Sequence, residues 1–197
     1  MESSLHRQLK GLYGGSEQDC EVLIDGFRID AVARGRLIEI QRASLSAIRS
    51  KIAALLTGHR VTLVKPIAAR TRIVRKDLVN SPVRSQRYSP LRRSVFHLFD
   101  ELVHFIGVFP HSRLTLEVIL IEQEEWRVAR QQRRRFNGPD YRVQDRSLLE
   151  IVSRQTFRSA VDLAALLPST LPTPFQSLDL AREAAIPRWL AQKMIYC

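Results

Sequence analysis

Residues 20–24 (CEVLI) and 27–33 (FRIDAVA) are strand-like runs separated only by Asp25-Gly26. A two-residue Asp-Gly connection needs positive φ at both positions and twists its flanks together, so it commits this part of the chain to an antiparallel hairpin. Arg34-Gly35 turns the chain again into a third run, 36–41. A three-stranded meander has an apolar face to cover, and its flanks have the pattern to cover it. Upstream, Leu5, Leu9 and Leu12 at helical spacing predict a helix over 2–13, stopped by Gly14-Gly15. Downstream, Ser44 is placed to cap a helix carrying Leu45, Ile48, Ile52 and Leu55, stopped by Thr57-Gly58. The mostly apolar run 59–67 predicts a strand buried on both faces, with Pro66 at its edge. This order implies an α/β chain of mixed α+β character, with a mixed sheet flanked by helices.

Residues 68–91, rich in Arg, Ser and Pro, predict a long basic loop. Residues 92–107 predict a helix and 114–122 a strand. Five arginines, Arg127, Arg130, Arg133, Arg134 and Arg135, precede the turn Asn137-Gly138-Pro139. This composition shift predicts a first domain over 1–126, a basic linker over 127–142 and a second domain over 143–197. Helices are expected at 148–157 and 160–167. A closing pair follows, one helix capped by Ser177 and one with Pro187 at its first position. That pair has helix-turn-helix spacing and resembles a winged-helix DNA-binding segment. The resemblance implies that Leu190 and Met194 pack inward while Arg188, Gln192 and Lys193 face a major groove.

Against 31 Lys plus Arg the chain has 20 acidic residues, giving a net charge of +11. The excess is mainly arginine, whose planar guanidinium binds phosphate bidentately, so it favours a polyanionic partner. DNA is the expected partner, with RNA as an alternative, and Arg130, Arg133, Arg134 and Arg135 are candidate phosphate contacts. Cys20 and Cys197 show no disulfide or zinc spacing, and no apolar run approaches roughly 18 residues. These features exclude a disulfide scaffold and a helical membrane protein, and suit the cytoplasm or nucleoid.

Asp30 lies on the second strand of the meander and Glu39 on the third, with Gln41 two residues on. If those strands are neighbours, Asp30 and Glu39 converge. Two carboxylates and a backbone carbonyl make a hard-cation site suited to Mg²⁺ or Mn²⁺. A solvated polar face of an amphipathic hairpin would leave the same residues in the sequence.

Ile29-Asp30, eight residues, then Glu39-Ile40-Gln41, followed by a helix and an apolar strand, resembles the core of PD-(D/E)XK nucleases. The similarity spans about residues 1–67 and is closest to members with E-x-Q in place of E-x-K. It implies a restriction-endonuclease-like fold and metal-dependent hydrolysis of DNA, with Asp30 and Glu39 as metal ligands and Gln41 orienting water. Glutamine carries no positive charge, so Arg49 or Lys51 on the next helix would compensate, with Lys65 on the fourth strand a third candidate. Members often place an acid on the first helix; here it would be Glu2, with His6 and Lys10 at successive i+4 steps. The resemblance also suggests a homodimer. A non-catalytic DNA-binding protein on the same fold, or a protein-interaction module built on the closing helices, are the alternatives.

Overall fold

The computed structural model describes residues 2–14, 16–130 and 139–197. Helix α1 (Ser4–Gly14) is followed by strands β1 (Cys20–Ile24), β2 (Phe27–Ala33) and β3 (Arg36–Ile40), paired antiparallel in sequence order. Both connections carry the backbone their sequences demand: φ is 48° and 78° at Asp25-Gly26, and 52° and 67° at Arg34-Gly35. Gly14 ends α1 where it closes on the meander, and a Cβ there would lie 2.7 Å from Cys20 Sγ. Ser44 accepts from the Ser46 amide and starts a 3₁₀ turn, Leu45–Ile48, which leads into α2 (Arg49–Leu55). The chain then crosses into β4 (Val61–Lys76), parallel to β3 from Leu37↔Val61 to Ile40↔Val64.

Beyond residue 67 the structure corrects the sequence reading. In place of a loop over 68–91, β4 continues to Lys76 and pairs antiparallel with β5 (Val83–Tyr88). Pro66 sits inside β4 rather than at its end. Val64 directs its carbonyl to the Gln41 amide on the β3 side, so Pro66 two residues on faces the same side, where β3 has ended and no donor is needed. The helix expected over 92–107 is a short 3₁₀ turn, Val95–His97, running into α3 (Leu98–Leu102). Strand β6 extends to Ala129 (Leu114–Ala129), parallel to β4 along its length. Strand β7 (Tyr141–Phe157) runs antiparallel to β6, overturning both the helix expected at 148–157 and a linker through 142. Arg133, Arg134 and Arg135 lie outside the described residues.

The result is a seven-stranded mixed sheet of order β1-β2-β3-β4-β6-β7, in which β3 and β5 share one edge of β4 with a gap between them. One face is covered by α1 through Leu5 and Leu9, packed with Ala31, Ile38, Ile40, Val64, Ile119 and Ile121. The other is covered by α2, α3 and three further helices: α4 (Ala160–Ala164), α5 (Ser177–Glu183) and α6 (Arg188–Tyr196). Leu180, Leu190 and Met194 join the same apolar cluster as Ile29, Leu63 and Leu116, so the closing helices share the sheet's core. Among the described residues no helix is long and apolar enough to cross a membrane.

Candidate active site

Pairing between β2 and β3 ends at Ala31↔Ile38, so the two strands fork at the next rung, where Asp30 and Glu39 sit. Asp30 occupies the fork: its Oδ2 accepts the Ile40 amide at 2.7 Å and its Oδ1 lies 3.1 Å from His6 Nε2 on α1. Burial works against ionisation of Asp30, but the bonds from His6 and Ile40 outweigh it and hold its pKa below the ordinary value. Glu39 behaves oppositely. Its side chain is only 6% exposed, and burial, with the nearby Asp30 charge, raises its pKa in spite of Lys51.

Lys51 is the base that reaches this pair. Its Nζ lies 2.6 Å from Glu39 Oε1 and donates to the Arg28 carbonyl at 2.5 Å. The approach to Glu39 is close but poorly aligned, so Oε1 is a buried oxygen with a cation beside it and no well-directed donor. Arg49 is exposed at the start of α2. Lys65, 4% exposed, is committed elsewhere: it donates to the Ala43 carbonyl at 2.6 Å and lies 3.5 Å from Glu101. Burial lowers its pKa. Gln41 donates from Nε2 to the Ser44 carbonyl at 2.7 Å, which fixes its amide plane at the mouth of the site.

An open cleft of ≈ 470 Å³ lies in front of the fork, lined by Glu2, His6, Asp30, Gln41 and Arg42 among others. Glu2 lies just before α1 rather than on it, yet its side chain reaches both His6 and Lys10 on the helix. Glu2 lies 3.7 Å from His6 and 2.6 Å from Lys10. Lys10, almost fully buried, also pairs with Glu21, which in turn pairs with Arg28. Sequence reasoning gave His6 no role at Asp30; its only trace there is the helical spacing from Glu2. Among the described residues no cluster of three or more His, Cys, Asp or Glu side chains is positioned to hold a metal. Asp30 and Glu39 are the carboxylates that meet at the fork.

The other expected contacts are dispersed. Arg130 is exposed at the end of β6, its amide donating to the Asp140 carbonyl. Arg188 and Gln192 are exposed on α6, whereas Lys193 turns back to pair with Asp100, next to α3's Phe99, and lies 5.3 Å from the Trp189 ring centre. Sequence reasoning missed a second cleft, lined by Arg42, Arg93, Arg127 and Arg146 with Glu125. These arginines come from four separate segments, so no local run marks them.

A family model described as "Domain of unknown function (DUF8091)" matches residues 3–158. An uncharacterized protein of Treponema pallidum (strain Nichols) is 33% identical over 185 residues, covering 92% of this chain and 72% of that protein. No solved structure matches the chain. The model match begins before α1 and ends just after β7, so it takes in the whole sheet and the fork, and the chain belongs to the DUF8091 family.

Proposed function

We propose that this protein is a metal-dependent nuclease acting on DNA, with its active site at the fork between β2 and β3. The observation that carries the reading is the meeting of Asp30 and Glu39 where the ladder opens, with Lys51 against the buried carboxylate. An antiparallel meander, a crossing helix and a parallel strand are also the element order of the PD-(D/E)XK core. The donor set fits a hard divalent cation: two carboxylates, one lining the cleft and one holding a buried oxygen without an aligned donor. Bound Mg²⁺ or Mn²⁺ supplies water activation and neutralises charge developing on the phosphodiester.

The chain's own residues do the rest. The Ile40 amide and His6 keep Asp30 ionised and aimed at the fork. Lys51 brings the positive charge that glutamine at position 41 lacks, and Gln41, held by the Ser44 carbonyl, presents its amide to the cleft. The sheet's distal half favours a polyanion: β5 is exposed along its length, and Arg84, Arg87 and Arg142 are exposed on β5 and β7. Several cations there sit over aromatic rings, Arg70 at 4.2 Å from Tyr88 and Arg127 at 4.0 Å from Tyr141, which keeps guanidinium groups in fixed positions.

One observation favours a non-catalytic DNA-binding protein instead. Each carboxylate already has an internal side-chain partner, Asp30 with the His6 ring and Glu39 with the Lys51 ammonium, so the fork is held together without a metal. The test is cleavage of labelled linear, branched and single-stranded DNA with Mg²⁺ or Mn²⁺, comparing wild type with Asp30→Ala and Glu39→Ala. Metal-dependent cutting lost in both variants is the expected result. Tight, salt-sensitive binding without cutting would replace the enzyme with the scaffold reading, and absence of binding would remove DNA as the partner.

A further inference from the structure

Where β3 ends and β5 has not yet begun, the shared edge of β4 is bare, and a half-enclosed cleft of ≈ 380 Å³ opens there. Its walls include Arg42 after β3, Arg93 before α3, Arg127 on β6 and Arg146 on β7, with Thr71 and Ser89 beside them. Among the lining residues the sole carboxylate is Glu125, already shared between Arg127 at 2.6 Å and Arg146 at 2.7 Å. Nearby Asp145 accepts the amides of Ser4 at 2.9 Å and Arg146 at 2.8 Å. Four arginines thus line a cavity that has one carboxylate among its walls, and two of them already share it.

Such crowding is unfavourable unless an anion completes the site. The strain is visible at Arg42: burial, together with the charge of Arg146, pushes its pKa below the ordinary arginine value despite Asp145 and Glu125. Arg42 touches the Ser3 hydroxyl and also lines the cleft in front of Asp30, so the two cavities are neighbours across one side chain. We propose that the arginine-lined cleft is a phosphate-binding subsite that seats a phosphate of the nucleic acid one step from the fork. Planar guanidinium groups with flanking hydroxyls match the tetrahedral oxygens of a phosphate, whether a terminal monoester or an internal diester. That the phosphate belongs to nucleic acid rests on the nuclease reading, whereas the anion site rests on its own residues.

The experiment is calorimetric titration of the full chain with inorganic phosphate in EDTA, so that metal at the fork plays no part. Wild type is compared with Arg42→Gln and Arg93→Gln. Arg93 is exposed and clear of the Glu125 pairs, so its variant keeps the fold even if Arg42→Gln does not. Saturable binding, weakened about tenfold in each folded variant, is the expected result. Absence of saturable phosphate binding, or equal affinity in wild type and Arg93→Gln, would overturn the proposal. Oligonucleotides with 5′-phosphate or 5′-hydroxyl ends then separate the sources: a preference for the phosphorylated end, lost in Arg93→Gln, assigns the monoester. Equal binding of both ends, weakened alike in Arg93→Gln, assigns the diester. Phosphate binding without DNA cleavage under any metal would retire the nuclease reading and leave the anion site standing.

Discussion

Asp30 accepts the amide of Ile40 at 2.7 Å, so a side chain on β2 supplies the acceptor for a β3 amide where the backbone pairing of the two strands has ended. Glu39, on the opposing strand, is buried beside it and driven the other way in pKa. The two carboxylates therefore do different jobs for the fold. In the metal-free protein, Asp30→Asn removes a charge-assisted acceptor shared by His6 and Ile40, and is expected to destabilise by about 1–3 kcal/mol. Glu39→Gln replaces a group that burial already favours in its neutral form, and is expected to shift stability by less than about 1 kcal/mol. Urea unfolding at pH 7 checks the pair. Equal losses in both variants would remove the division of roles.

The same opposition fixes a pH dependence. A carboxylate whose folded pKa is depressed contributes stability that is present above its unfolded pKa and lost as pH falls through the folded value. The stability gap between wild type and Asp30→Asn should therefore shrink as pH drops below about 3.9, the unfolded Asp value. Glu39 has the opposite sign: its raised pKa means the folded state gains proton affinity, so lowering pH relieves its cost. Unfolding midpoints of wild type, Asp30→Asn and Glu39→Gln measured between neutral pH and about pH 3 separate the two contributions.

At the turn between α5 and α6, Ala185 has φ of 50°, and the Ile186 amide closes back on the Ala181 carbonyl at 3.0 Å. This is a left-handed helix stop built with a residue that has a Cβ. Ala185→Gly relieves that conformation and is expected to raise stability by about 0.5–1 kcal/mol, because here the folded-state strain outweighs glycine's entropy cost. Thermal unfolding reads the change, and a fall in Tm would contradict it.

The first 67 residues were legible because their signals are local. Asp25-Gly26 and Arg34-Gly35 sit in the positive-φ turns their identities require, and Leu5 and Leu9 are buried at the spacing that marked them. The long strands were not, for two physical reasons. First, β6 and β7 shift register between Leu120 and Ile121, Glu122 and Gln123, and Trp126 and Arg127; each irregularity breaks the period-two alternation by which a strand is recognised. Second, the arm carries its charge in pairs across strands. Arg72 lies against Glu124 at 2.9 Å, and Arg146 against Glu125, so residues that look like a solvated loop one strand at a time become neutralised rungs. At the fork, Asp30 and Glu39 could be picked out by topology, but the choice between Arg49 and Lys51 depended on which side of α2 meets the sheet. The arginine cleft could not be found at all, because it exists only once four distant segments assemble.

That choice gives the sharpest test of the fork's electrostatics. Lys51 stands beside a buried carboxylate, while Arg49 is exposed at the start of the same helix. Lys51→Met should cost about 1–3 kcal/mol at neutral pH, because it leaves the Glu39 charge buried without its cation. The cost should fade in acid as Glu39 takes up a proton. Arg49→Ala should stay within about 0.5 kcal/mol of wild type. Combining Lys51→Met with Glu39→Gln should recover most of the loss, since neither half of the pair then remains to be satisfied. Urea unfolding of the four proteins at neutral and acid pH completes the cycle. If Lys51→Met and Glu39→Gln add independently, the ion pair contributes nothing and the positive charge at the fork must come from elsewhere.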